Sequence, residues 1–388
     1  MKILHTSDWH LGHSLYGYDT SDDQQAMLDS IADICREEQP DLLLISGDIF
    51  DTARPGAGVQ KVFVDTLHAW RDEFADMNIA VIAGNHDSAS MHEIYSTPWE
   101  RLGVHVVGEA TPVAGKMAER ATVIPGKCIL VPIPYFSERF MPDGYIADTV
   151  SRAVADEESL PVIVMLHTTL SGSDFTGHER GINDNYIGGI AAISPDDIGE
   201  GYDYIALGHI HKPQNVTERI RYCGSPRRLS FDESFEHSVT IVEIDRHGEL
   251  PKIRRVATDE NTPLITLPGD DEYATAEELK IMVNDYPDDH VAYIRLNLKA
   301  GETLSPVHLS EIRAILERKK GRLCLVNRQN IEIEGEQQEQ SMSIEKFKSV
   351  TPLDIASRYF AAKGNELTDS QKEMLREIID QVNEDERS

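Results

Sequence analysis

The chain has 388 residues, 40% of them hydrophobic and 7% aromatic, with a formal net charge of −30. That is enough for two or three domains with real cores, and the acidity argues against a protein that grips nucleic acid unaided through a basic face; it reflects either solubility or a partner that supplies such contacts. The cysteines (Cys35, Cys128, Cys223, Cys324) are far apart and form no CxxC pair, which leaves no disulfide framework or structural zinc and fits a reducing cytosol.

Residues 2–6 read as a buried strand, entered with no signal peptide in front, that delivers Ser7-Asp8-Trp9-His10 to a loop. From about Asp22 to Glu38, Met27, Ile31 and Ile34 share one helical stripe, and Pro40 marks its end. Asp41–Ser46 is a continuous apolar run, the pattern of a strand covered on both faces, and it ends at Gly47-Asp48. A second helix is expected from Val59 to Phe74, then a strand over Ile79–Ala83 that ends at Gly84-Asn85-His86-Asp87. Strand, helix, strand, helix, strand, with a polar cluster at each strand exit, is the layout in which α/β sheets bind ligands.

Val104–Val107, Cys128–Val131 and Pro161–Leu166 predict further strands, the last ending at His167. Residues 168–200 read as a long polar loop. Strand 203–207 leads into Gly208-His209-Ile210-His211, where two imidazoles at i and i+2 leave a strand end on one side. Arg219–Tyr222, Ser238–Ile244 and Lys252–Val256 are expected to finish the domain as a second sheet, making a two-sheet α/β sandwich over residues 1–260.

A composition shift near Asp259–Thr262 opens a small β-α-β-α-β module, assigned to residues 261–335. Its strands are Leu264–Leu267, Val291–Leu298 and Arg322–Val326, and its helices start at Thr275 and Pro306. Ser305-Pro306 is a helix start and Lys319-Lys320-Gly321 a helix stop. Residues 336–350 read as an acidic, Gln-rich linker. Residues 351–388 carry two amphipathic helices, Thr351–Lys363 and Thr368–Asn383, joined at Gly364-Asn365. Helices that short cannot bury both faces against each other, so they fold back on the body or, the favoured reading, dock on a partner. No apolar run approaches the roughly 18 residues that span a bilayer, and the expectation is a soluble, cytoplasmic protein with no membrane association.

The strand exits carry the chemistry. Asp8 and His10 reach one ion together; Asp48 has two oxygens to bridge two ions; Asn85 offers a carbonyl oxygen; His167, His209 and His211 offer nitrogens. The mixed oxygen and nitrogen set suits Mn²⁺, Fe or Zn²⁺ and lacks the thiolates of closed structural zinc. Two such ions generate hydroxide and polarise a phosphoryl group. His86 is placed to give a proton to the leaving oxygen, with Asp87 or Asp51 orienting it. Taken singly, an Asp-x-His pair is usually exposed loop, Gly-Asp a turn, Asn85-His86 a helix cap and His167 a satisfied core histidine. Together, five fragments ending strands in this order defeat those readings. His5, His13, His68, His92, His105, His178 and His237 lack such a setting.

In that order the fragments resemble the calcineurin-like metallophosphoesterases over about residues 1–245. Met1–Gly12, Gly47–Asp51, Tyr204–His211 and Tyr222–Pro226 followed by Leu229–Glu233 are similar, more narrowly, to bacterial DNA-repair nuclease subunits. The resemblance implies one Mn²⁺ held by Asp8, His10, Asp48 and His211, another by Asp48, Asn85, His167 and His209 (with Mg²⁺ or another divalent ion as substitutes), and His86 as proton donor or transition-state stabiliser. It implies exonuclease action on duplex ends and endonuclease action on single strands and hairpins, in DNA repair, recombination and replication. It also implies a module that places double- or single-stranded DNA over the metals, C-terminal helices bound to the coiled coil of an SMC-like ABC ATPase, and a homodimer within a heterotetramer. The alternatives are a stand-alone phosphodiesterase or phosphatase of small molecules, and a scaffold with a vestigial site. The chain departs from the family pattern at Asp51, at Arg227-Arg228 and in the loop 168–190, which matches no pattern of the family. Asp51 stands where archaeal and eukaryotic relatives often have a histidine. Arg227-Arg228 is unexpectedly basic, and the pair either touches phosphate or balances Asp232 and Glu233.

Overall fold

The computed structural model describes residues 1–137, 140–154, 159–175, 192–259, 261–329 and Gln371. The chain divides into Met1–Asn330 and Ile331–Ser388; the expected linker and C-terminal helix pair fall in the second part and, apart from Gln371, lie outside the described residues, as does His178 of the first part.

In chain order the first part opens with β1 (Lys2–Thr6), the short strands β2 (Ser14–Leu15) and β3 (Tyr18–Asp19), and α1 (Ser21–Glu38). Then come β4 (Leu42–Ser46), α2 (Ala57–Glu73), β5 (Asn78–Ile82), α3 (Ala89–Glu100) and β6 (Val104–Val107). α4 (Ala114–Ala118), β7 (Thr122–Ile124), β8 (Cys128–Ile133), α5 (Tyr145–Ala153) and β9 (Val162–His167) follow. β10 (Tyr204–Gly208), β11 (Gln214–Asn215), β12 (Ile220–Tyr222), β13 (Ser238–Glu243) and β14 (Lys252–Ala257) complete the body. The final module is β15 (Leu264–Leu267), α6 (Ala276–Asp285), β16 (Ala292–Leu298), α7 (Pro306–Arg318) and β17 (Gly321–Arg328).

Two six-stranded sheets, ordered β14-β13-β1-β4-β5-β6 and β11-β12-β10-β9-β8-β7, form the expected sandwich. Side chains that alternate along a strand face opposite sides. Ile3, Leu42, Leu44, Ala80 and Ile82 therefore pack between the sheets with Leu130, Val164, Ile205 and Leu207. Leu4, Leu43, Ile45, Ile79 and Val81 turn outward onto Met27, Ile31, Phe63, Leu67 and Trp70 of the covering helices. These runs read as continuously apolar because both faces are buried. α1 ends as expected at Pro40: Gln39 takes a left-handed conformation (φ 48°) and its N–H bonds the Cys35 carbonyl.

The finish of the body differs from expectation. Of the three strands expected there, only Ile220–Tyr222 joins the second sheet. β13 pairs antiparallel with β1 (Lys2 opposite Glu243), and β14 extends that first sheet. Local alternation marks a strand but carries no information about a partner more than 200 residues away. The stretch after His167 is also more ordered than a plain loop where it is described, with an isolated bridge from Leu170 to Ile193 and a short 3₁₀ turn at Pro195–Ile198.

In the last module three parallel strands, β15-β16-β17, carry both helices on one face. Thr275 and Glu278 form a capping box on α6, and the Ser305 hydroxyl caps α7. The stop after α7 differs in one residue: Lys320 takes the positive φ (63°), while Gly321 opens β17 where a Cβ would crowd Ile294. Ile294, Leu296 and Leu298 of β16 face the helices. On the other face Tyr293 packs on Leu15 and Phe231, and its hydroxyl donates to Asp23 at 2.8 Å. No helix among the described residues is long and apolar enough to cross a membrane.

Candidate metal centre

The exits of β1, β4, β5, β9 and β10 converge, and backbone bonds fix them to one another. Asp8 N–H donates to Gly47 O (3.0 Å) and His10 N–H to Asp48 O (3.1 Å), so the first two exits run side by side. Asp8, His10, Asp48 and His209 all have positive φ (55°, 46°, 50° and 98°), a conformation uncommon outside glycine. Strain of this kind persists only where surrounding structure imposes it, and it gathers at functional sites.

Asp8, His10 and His211 form one group whose ligand atoms lie within 4.8 Å of one another, and Asp48, His167 and His209 form a second. Asp48 stands between them: its Oδ2 is 3.8 Å from His10 Nε2 and 3.3 Å from His167 Nε2. The Asn85 side-chain oxygen lies 3.0 Å from His167 Nε2 and 2.9 Å from His209 Nδ1. All seven expected ligand positions thus come together at one place. Glycines allow the approach. A Cβ on Gly84 would collide with Asp48, one on Gly47 with His167, and one on Gly208 with the Ser46 carbonyl.

The electrostatics call for a cation. Asp8 and Asp48 are both buried. Burial pushes the Asp8 carboxyl up to about 6, and the Asp48 charge adds to the rise. Burial would also lower His167, but the charge of Asp48 and its hydrogen bond outweigh that and raise the imidazole to about 9, so a proton sits where positive charge is needed. His10 Nε2 is buried with no hydrogen-bond partner, a costly state for a polar atom that coordination would resolve. The residues therefore fit divalent ions held by oxygen and nitrogen.

The outer contacts differ from expectation in three places. His86 is exposed, and its Nδ1 bonds the backbone carbonyl of Asp51 at 2.9 Å; the Asp51 carboxylate is instead 3.4 Å from His10 Nδ1. Asp87 does not touch the His86 ring. Its carboxylate accepts the backbone amides of Gly84, Ile49 and Phe50 (2.9, 3.2 and 3.0 Å) and clasps two strand exits together. The Arg227-Arg228 pair turns to backbone carbonyls, with the Glu233 carboxylate among the charges around Arg227. The buried Arg227 guanidinium lies 3.5 Å from the carbonyls of Trp9 and His10, and Arg228 donates to the Ser230, Phe231 and Leu264 carbonyls.

One residue of the centre lies outside the expected site residues. Glu233, 2% exposed, accepts from His211 Nδ1 at 2.7 Å. Among 67 acidic residues nothing local distinguishes it as buried; the only signal is its place in the Leu229–Glu233 stretch downstream of a histidine pair.

The calcineurin-like phosphoesterase family matches residues 1–213. Among curated relatives, the SbcD component of the SbcCD nuclease from Rhodobacter capsulatus is 29% identical, covering 79% of this chain and 82% of its own. Its counterpart in Bacillus subtilis is 30% identical (81% and 83%), and that in Escherichia coli 28% identical (98% and 97%).

Proposed function

The chain belongs to the calcineurin-like phosphoesterases and, within them, to the SbcD nucleases, a metal-dependent hydrolase family; from that premise we propose that it cuts DNA phosphodiester bonds with two Mn²⁺ ions, as an exonuclease on duplex ends and an endonuclease on single strands and hairpins. The observation that carries this reading is the place of Asp48 in one donor group and beside the other, its Oδ2 3.3 Å from His167 Nε2 and 3.8 Å from His10 Nε2. Asp8, His10, Asp48 and His211 would hold one ion, and Asp48, Asn85, His167 and His209 the other. Bound together, such ions supply an activated water and neutralise charge on the phosphoryl oxygens. Asp48 accepts the His86 backbone N–H at 2.8 Å, which ties the position of His86 to the centre. With Nδ1 donating to the Asp51 carbonyl, His86 presents Nε2 to hold and release a proton at the leaving oxygen.

Residues 261–335 would place DNA over the centre, and residues 351–388 would bind the coiled coil of an SbcC ATPase, in a heterotetramer built on a homodimer acting in the cytoplasm. The relatives' names speak of an SbcCD complex, and a partner of that kind accounts for a nuclease with net charge −30. The test is cleavage of a labelled hairpin and a linear duplex with Mn²⁺, with and without the ATPase and ATP, wild type against His86→Ala. Cleavage that vanishes in the variant while metal content holds supports the reading. Hydrolysis of a chromogenic phosphodiester with no DNA cleavage under any of these conditions overturns it in favour of a small-molecule phosphodiesterase.

A further inference from the structure

We propose that Glu233 is a positioning residue for His211, and that β16 holds it in place through Arg295, so that the seating of the last module sets how tightly one of the two metal positions is held. The proposal rests on the reading of His211 as a ligand.

Glu233 sits in the short segment that follows Arg228 and is locked at both oxygens. Oε1 accepts from His211 Nδ1 at 2.7 Å, and Oε2 accepts the Leu229 backbone amide at 2.7 Å. A carboxylate that takes the Nδ1 proton fixes the imidazole tautomer, makes Nε2 the coordinating nitrogen and raises its basicity. The second position is backed differently. His167 Nδ1 donates to a neutral group, the Ser46 carbonyl, at 2.8 Å. The loss of Glu233 is therefore felt on one side of Asp48 only.

The segment that carries Glu233 is gripped from the module. Arg295 on β16 is 6% exposed. Its Nη1 bonds Asp232 at 2.9 Å and its guanidinium lies 5.3 Å from the Phe231 ring centroid. The same guanidinium is aimed by Thr266 Oγ1 (3.2 Å) and Asp270 (3.0 Å), both within the module. Arg228 adds a second tie, from the segment to the carbonyl of Leu264 on β15 (3.3 Å). Asp232 and Glu233 are adjacent in the chain, so a shift of β16 moves the carboxylate that aims His211.

The experiment is Mn²⁺ titration of the full chain by electron paramagnetic resonance, where a coupled pair and an isolated ion give different spectra, with thermal melts alongside. In Glu233→Gln, which keeps shape but loses charge, one ion should bind about 10-fold more weakly, and in Glu233→Ala about 100-fold. The other ion should keep its affinity. Arg295→Met should weaken the same ion several-fold. Unchanged affinities in both Glu233 variants overturn the positioning role. Equal weakening of both ions with a lowered melt also overturns it, because Glu233 is then only a structural support. An Arg295→Met protein that binds like wild type while Glu233→Gln does not overturns the part given to the module. A wild type that takes up fewer than two ions overturns the two-metal reading itself, an outcome visible before any variant is made.

Discussion

His86 is held by Asp51 through the backbone, not the side chain: Nδ1 of the one meets the carbonyl oxygen of the other at 2.9 Å. Substitution at position 51 should therefore leave His86 where it is. Asp51→Asn is expected to keep the proton-transfer step and at most loosen His10, whose Nδ1 its carboxylate approaches at 3.4 Å. His86→Ala is expected to lower the cleavage rate by about 10²–10⁴-fold, the usual contribution of a positioned acid or base, with both ions retained. Single-turnover cleavage with metal analysis checks both; an Asp51→Asn loss as large as that of His86→Ala would refute the backbone assignment.

Asp87 ties the exits of β4 and β5 by accepting three amides. Asp87→Ala leaves those amides unpaired in a buried place, each at a cost of about 1–3 kcal/mol. Urea unfolding should show a loss of at least about 3 kcal/mol, and Mn²⁺ binding should weaken because the residues on both exits lose register. A loss below about 1 kcal/mol would show that water replaces the carboxylate.

Gly84 has no room for a side chain, since its Cβ would collide with Asp48. Gly84→Ala should weaken both ions together, by at least about 10-fold, if Asp48 bridges them as proposed. Gly58, in α2 with nothing within 4 Å of its would-be Cβ, is the control; Gly58→Ala should stabilise the protein by up to about 1 kcal/mol and leave metal binding alone. Selective loss of one ion in Gly84→Ala would contradict the proposed shared role of Asp48.

Acid should destabilise the fold through His5. Its Nδ1 lies 2.8 Å from the Tyr204 hydroxyl, and its Nε2 is buried without a partner. Burial, aided by the charge of Arg221, lowers the imidazole from 6.5 to about 3. Below 6.5 the unfolded chain takes up a proton that the folded one refuses, so this contribution is whole above pH 6.5 and is lost as pH falls toward 3. At pH 5 the loss is about 2 kcal/mol. His5→Gln should flatten the urea midpoint against pH between 6.5 and 4.5 relative to wild type; parallel curves would discount His5.

Much of this arrangement is legible in the sequence. Leu42–Ile45, Val162–Leu166 and Tyr204–Leu207 are apolar without interruption, and the residues at their ends converge in the fold. What is not legible is long-range or contrary to local rules. α3 carries Pro98 inside it, which argues against a helix, yet Ser88 caps its start. The pairing of β13 with β1 depends on neither strand's own pattern. The positions of Asp87, Arg227 and Glu233 follow from burial, and a charged side chain does not announce in sequence whether it is in water or holding an amide, a carbonyl or an imidazole.

The left-handed backbone at Asp8, His10, Asp48 and His209 bears on any attempt to move this centre elsewhere. Each such residue is held about 1–2 kcal/mol above a relaxed conformation, and the restraint comes from sheets many residues away. Grafting the seven side chains onto another scaffold would reproduce the donors but not the tension that aims them, and the transplanted loops would relax to geometries that spread the ligands apart. The transferable unit is the pair of sheets with their exits, and a designer who wants the chemistry must carry the frame along with it.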